Sequence, residues 1–332
     1  MEFSQIIKDL KAKKYQPVYF LFGEEEYFID RISDYIEEHV LDSSEKEFNQ
    51  TVLYGLETDV LSIVSAAKRY PMMAPYNVII IKEAQNIKKW DALESYFKNP
   101  LDSTILVINH KFKNPDGRSK AIKAAKEHSV FFESKKLYED KIVAWVEKFI
   151  QAKGYTIEPK ATMLMVESIG LELTKLSNEI GKLSLNVKKG TLITPDIIEQ
   201  NVGISKEYNV FELTDAISNR NILKANKIIN HFGANEKSYP LPLVLPTIYR
   251  YFSQLLLFHT VKGADNRTKA SVVGVNPYFL KSFEIGAKHY PVKKIARIIS
   301  ALRSADLQSK GVGSSSSSNL DILKELLFII LH

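Results

Sequence analysis

Three continuous apolar runs restrict this chain more than any other feature: VYFLF at 18–22, NVIIIK within 77–84 and STILVINH at 103–110. Each is short, rich in β-branched or aromatic residues and flanked by turn residues. A strand that is apolar at successive positions rather than at alternate ones is buried on both faces. Helical periodicity fills the intervals. Ile29, Ile32, Ile36 and Val40 fall on one helix face, and Asp59 is the expected cap of a helix running through Ala67. FNQTVLY at 48–54 alternates weakly and VFFES at 130–134 is a shorter run, so both read as further strands. Strands alternating with helices predict a parallel sheet covered on both faces, hence an α/β domain over residues 1–140.

From residue 138 the pattern turns wholly helical. YEDKIVAWVEKFIQAKG stops on Gly154, and three short helices follow in EPKATMLMVESIG, LELTKLSNEIGKLSL and TPDIIEQNVG. The last has Thr194 as expected cap and Pro195 at the first helical position. From 210 a block of longer apolar helices begins with VFELTDAIS and ends with LDILKELLFIIL. The expected division is therefore 1–140, 141–209 and 210–332. The serine run at 314–318 reads as a flexible connector.

Charge follows the same division. Residues 1–140 carry 20 Lys and Arg against 23 Asp and Glu, whereas 210–332 carry 16 against 8. The basic excess sits in the last third, where an acidic partner or nucleic acid would be drawn. The N-terminus is amphipathic through Phe3, Ile6, Ile7 and Leu10, unlike a signal peptide. No run approaches the roughly 20 apolar residues of a bilayer span, so the chain reads as soluble, with no membrane partner.

Catalytic and metal chemistry is largely excluded. There is no cysteine, which removes disulfides, thiolate metal sites and a thiol nucleophile. The seven histidines are scattered without metal-binding spacing, and no nucleophile elbow appears. Strand, glycine, helix in PVYFLFGEEEYFIDRI is how a phosphate-binding loop begins, but only Gly23 matches the Walker pattern. The positions of its second glycine, lysine and hydroxyl fall on Phe28, Ile29 and Asp30. Glu24, Glu25 and Glu26 occupy the positive end of the helix dipole, where they stabilise the helix and repel a triphosphate. Gly181–Lys182 lies mid-helix and is no substitute. The expectation is no catalytic site, no cofactor and no metal.

Two stretches remain. In KRYPMMAPYN at 68–77, Pro71 and Pro75 bracket Met72 and Met73 just ahead of a strand. Adjacent side chains point different ways on a regular element, so the pair either packs beneath its loop or serves as an adaptable anchor for a partner's pocket. In KASVVGVNPYFLKSF, Ala270 and Gly274 have a weak helix-turn-helix spacing that would make SFEIGAKH a recognition helix. Lys288, Lys293, Lys294, Arg297 and Arg303 form a basic series able to meet phosphates on DNA, or a partner.

The chain resembles the delta subunit of the bacterial DNA polymerase III clamp loader nearly end to end. The likeness lies in PVYFLFGEEEYFIDR, MMAPYNVIIIKEA, GLELTKLSNEIGKLSL with Glu179, Lys182 and Leu183 in place, VFELTDAISNRN, VVGVNPYFLKSF and ADLQSKG. It implies an AAA+-like domain with a degenerate phosphate loop and no ATPase activity, a small helical lid and a helical C-terminal collar. It implies a non-catalytic, cytoplasmic subunit of a DNA-directed DNA polymerase holoenzyme, acting in replication. Its partners would be the DNA sliding clamp, sibling subunits of the tau/gamma and delta-prime types, and DNA within the complex. The family inserts two neighbouring apolar side chains into a clamp pocket, positions that correspond to Met72 and Met73 here. A collar also accounts for the helices of the helix-turn-helix reading. The rival expectation is a DNA-binding or regulatory protein with a degenerate nucleotide domain and a basic helical C-terminus.

Overall fold

The computed structural model describes residues 2–202, 205, 207–312 and 318–332. The chain divides into two compact units, one up to Leu137 and one from Tyr138 onward.

In the first unit β1 (Val18–Gly23), β2 (Gln50–Tyr54), β3 (Asn77–Lys82), β4 (Thr104–Lys111) and β5 (Val130–Ser134) form one sheet in the order β2-β3-β4-β1-β5. All four pairings are parallel. Consecutive residues serve opposite faces. Phe20, Ile79, Ile81, Leu106 and Ile108 join one core, which Ile63, Leu93, Phe97 and Ile122 close. Those four come from α4 (Val60–Ala67), α5 (Leu93–Lys98) and α6 (Lys120–His128). Tyr19, Leu21, Val78, Ile80 and Val107 join the other, closed by Ile6, Leu10, Ile29, Ile32 and Ile36. These belong to α1 (Phe3–Lys11) and α2 (Glu26–His39). Burial on both faces is why β1, β3 and β4 carry continuous apolar runs.

One expected boundary moves. Phe48 and Asn49, placed by alternation at the start of a strand, instead finish a helix, α3 (Ser43–Asn49). Its start is a capping box: the Glu45 carboxylate accepts the Asp42 backbone N–H at 2.9 Å. Asp-x-x-Glu at 42–45 is the signal that outweighs the short alternating pattern.

The second unit opens with α7 (Glu139–Ala152), α8 (Pro159–Ile169), α9 (Leu173–Asn186) and α10 (Pro195–Val202). It is not wholly helical, contrary to the expectation from its periodicity. β6 (Thr156–Ile157) and β7 (Leu192–Ile193) form a two-stranded parallel ladder, too short to register as an alternating pattern. Next come α11 (Val210–Ser218), α12 (Ile222–Ala234), α13 (Leu241–Thr260), α14 (Asn266–Val273), α15 (Leu280–His289), α16 (Val292–Ser309) and α17 (Asn319–Leu331). One core runs through these seven helices, from Val210 to Leu331. Among the described residues α13 alone has the length and apolar composition of a membrane span, which the sequence reading did not anticipate. Its Val244, Ile248, Phe252, Leu255 and Phe258 are buried in this core. Residues 314–317 of the serine run lie outside the described residues. Ser318 caps α17 by accepting the Asp321 N–H.

α8 is fastened to the start of α11. The Glu167 carboxylate accepts the Val210 backbone N–H at 3.0 Å. The buried Glu212 carboxylate is ion-paired with both Lys160 and Lys224. Burial alone would raise the Glu212 carboxyl pKa, but the two ammonium groups outweigh it and hold the group below its ordinary range. A depressed folded-state pKa stabilises above the unfolded value, about 4.3 for Glu, and that stabilisation fades as pH falls through the folded value. Both lysines still touch water, which screens the pairs. Glu212→Gln is therefore expected to cost about 1–2 kcal/mol near neutral pH. The deficit should shrink toward zero in the acid range. Thermal melts of both proteins across pH check this; a deficit that grew on acidification would contradict the assignment.

Candidate functional site

The segment between α4 and β3 is fixed at the backbone and bare at its tip. A helix ends with carbonyls that lack partners, and at α4 buried side chains take them up. Asn77 Nδ2 donates to Ala66 O at 3.1 Å and to Arg69 O at 3.3 Å. Thr104 Oγ1 and Tyr96 Oη both donate to Ala67 O, at 3.0 and 3.3 Å. On the far side Ala74 and Tyr76 pack on the core beneath the sheet.

Between these anchors the buried Asn49 side chain holds Met72 by both halves of its backbone. Oδ1 accepts the Met72 N–H at 2.6 Å, and Nδ2 donates to the Met72 carbonyl at 3.0 Å. The next residue, Met73, has φ 54°, in the left-handed region that a non-glycine residue occupies at some cost. The outcome for the side chains is plain. Met72 is 58% exposed and Met73 is 103% exposed, so neither packs beneath the loop. Tyr70 and Phe48 are exposed as well, which gives the neighbourhood of the loop an apolar character without a covering element in this unit. Asn49 was not singled out from sequence. An asparagine at a helix C-terminus carries no signal that its side chain reaches a loop 23 residues away.

In an open α/β sheet, ligands bind in the crevice outside the carboxyl ends of the strands. At that end of β1 the backbone is already engaged by its neighbours. The Glu25 N–H donates to Ser134 O at 3.1 Å, Ser134 Oγ donates to Glu25 O at 2.5 Å, and the Phe112 N–H donates to Gly23 O at 2.8 Å. Glu25 caps α2, its carboxylate accepting the Tyr27 N–H at 3.2 Å. Lys111, opposite Gly23 across the ladder, reaches the Asp30 carboxylate at 2.7 Å and Glu26 at 3.5 Å. Its charge therefore lies against α2 carboxylates. Among the described residues no three or more His, Asp or Glu side chains gather as a metal site would require.

The basic series is only partly brought together. Lys293 and Arg297 are exposed one turn apart on α16. Arg303 is exposed about 120° round the same helix from Arg297, at 100° per residue. Lys288 is exposed at the end of α15. Lys294 departs from the series: it is half-buried, with Nζ 5.3 Å from the Tyr290 ring centre. Burial, then Arg220, lowers its pKa, and its half-buried position leaves the ammonium less open to a surface partner than sequence suggests. The helices of the helix-turn-helix reading are part of the helical core. α14 ends at Gly274 with φ 71°, and α15 is set into the helical core through Leu280, Phe283, Gly286 and Ala287. A Cβ on Gly286 would lie 2.3 Å from Tyr251 Oη, so α15 lies close against α13 at this point.

Comparison with known proteins gives a consistent result. The family described as DNA polymerase III, delta subunit, matches residues 19–135, and the family of the C-terminal domain of that same delta subunit matches residues 207–328. DNA polymerase III subunit delta of Bacillus subtilis is 27% identical over 98% of this chain and 95% of its own length. A probable DNA polymerase III subunit delta of Aquifex aeolicus is 23% identical over 88% of this chain and 86% of its own. Among solved structures, the Bacillus subtilis DNA clamp loader delta protein shares the fold with a TM-score of 0.55 and 24% identity, covering 99% of each chain.

Proposed function

The chain belongs to the DNA polymerase III delta subunit family, and from that premise we propose that it binds a DNA sliding clamp through Met72 and Met73. In this reading it opens the ring for loading onto primed DNA during replication. The observation that carries the proposal is the exposed methionine pair on a loop whose backbone is held from both sides. Two unbranched, polarizable side chains, one more than half exposed and the other fully so, suit a concave apolar pocket. A preformed backbone limits the ordering cost of docking. Retention of the clamp from a lysate on the immobilised chain, and its loss with both methionines replaced, is the direct test.

The rest of the reading follows family membership. The 1–140 segment is the clamp-binding AAA+-like domain, 141–209 the lid and 210–332 the collar. The collar joins sibling subunits of the tau/gamma and delta-prime types, and the loader acts in the cytoplasm. Lys288, Lys293, Arg297 and Arg303 are the proposed contacts to DNA or a neighbouring subunit within the complex, with Lys294 in a lesser part. The rival reading, a free-standing DNA-binding regulator, is not favoured, since both family matches are to the delta subunit.

The chain is also proposed to have no ATPase activity of its own. At the end of β1 the Glu25 amide is bonded to Ser134 and Lys111 is paired with Asp30 and Glu26. A triphosphate would have to break these contacts and approach the carboxylates at the α2 start. Calorimetry with magnesium ATP is expected to show no binding up to millimolar nucleotide. Micromolar affinity, or turnover by the purified chain, would contradict this.

A further inference from the structure

We propose that Asn49 is a positioning residue for clamp binding, presetting the methionine pair through the Met72 backbone; this rests on the proposed role of Met72 and Met73. Asn49 stands at the end of α3, 2% exposed, and touches neither methionine side chain by hydrogen bonding. Both halves of its carboxamide are engaged. Oδ1 accepts from the Met72 N–H at 2.6 Å, and Nδ2 donates to Met72 O and Glu45 O, each at 3.0 Å. A primary amide has two donor hydrogens, and both have an acceptor here. The side chain thus bonds the loop as a neighbouring strand would, taking both polar groups of one residue, while Glu45 O ties that side chain to its own helix.

The consequence lies in the residue that follows. Met73 has φ 54°, a conformation that an unbraced loop of non-glycine residues leaves readily. With the Met72 peptide held and Pro75, Ala74 and Tyr76 fixing the exit, the left-handed turn at Met73 is what keeps its side chain outward. Remove the carboxamide and the loop gains alternative backbone states, each of which must be given up again on docking. Affinity then falls through lost preorganisation, with every apolar contact to the clamp still chemically available.

A double-mutant cycle on the full chain tests this. Asn49→Ala is expected to weaken clamp affinity by about ten-fold. In a Met73→Ala background the same change should have a much smaller effect, because the group it positions is gone. A merely structural loss would weaken both backgrounds equally, and that additivity would overturn the proposal. Hydrogen exchange at the Met72 amide supplies a readout on the unmodified chain, independent of whether Asn49→Ala folds. Slow exchange is expected despite the exposed side chain, and exchange at the free-peptide rate would overturn the proposal. If replacing both methionines leaves clamp affinity unchanged, the methionine site itself is wrong. If that replacement abolishes binding while Asn49→Ala does not weaken it, only the positioning role is wrong.

Discussion

Changing Met72 and Met73 together to serine is expected to lower clamp affinity by at least about 100-fold, with almost no change in the melting of the isolated chain. Burying the two side chains in a pocket is worth about 3–5 kcal/mol, and serine recovers almost none of it. The association costs are common to both proteins and cancel in the comparison. Stability is spared because Met72 is more than half exposed and Met73 fully so; neither change leaves a cavity. Core residues would behave in the opposite way, with the pair costing several kcal/mol and depressing the melt steeply. Melting and clamp affinity measured on one preparation therefore separate an interaction site from a packing site. A collapsed melt, or affinity that survives, would remove the proposed contact.

Gly23→Ala should destabilise the first unit by about 3 kcal/mol or more, a fall of roughly 10 °C in its melting temperature. Gly23 has φ 129°, a region closed to side-chain-bearing residues. A Cβ there would sit 2.2 Å from Ser134 O and 2.9 Å from Ser134 N, in the backbone of the adjacent strand. Strain and overlap add, and neither Ser134 atom belongs to a flexible side chain that can swing aside. Glycine at this point thus has a structural reason that involves no phosphate. If an alanine variant melted normally, close packing against Ser134 would not be what requires glycine.

Legibility from sequence followed how local each cause was. β1, β3 and β4 were readable because a two-sided buried sheet writes continuous apolar runs, β2 showed only as weak alternation, and VFFES marked β5 to the residue. The Asp59 cap was readable because its partner, the Ser62 N–H, lies three residues on. α3 was missed where a short alternating run was preferred to the Asp42–Glu45 capping box. β6 and β7 were missed because two residues have no period. At the site, sequence singled out the methionine pair but left two orientations open, and only the fold decides exposure. The deeper misses were pairings distant in sequence. Nothing local in Asn49 indicates Met72, and nothing in Glu212 indicates Lys160 from another helix. The basic series was read as one set, but burial on α16 turns Lys294 toward Tyr290, which a charge count cannot register.

Because the chain has no cysteine, Met73→Cys introduces a single thiol at the point proposed to enter the clamp. Its alkylation rate, with and without saturating sliding clamp and with no nucleotide present, tests the central claim most directly. A second variant, Leu185→Cys, places the thiol at a residue 87% exposed on α9 as the control. The account predicts that the clamp slows alkylation at position 73 by an order of magnitude or more and leaves position 185 unaffected, with or without added ATP. Equal rates at position 73 in the free and clamp-bound chain would contradict it.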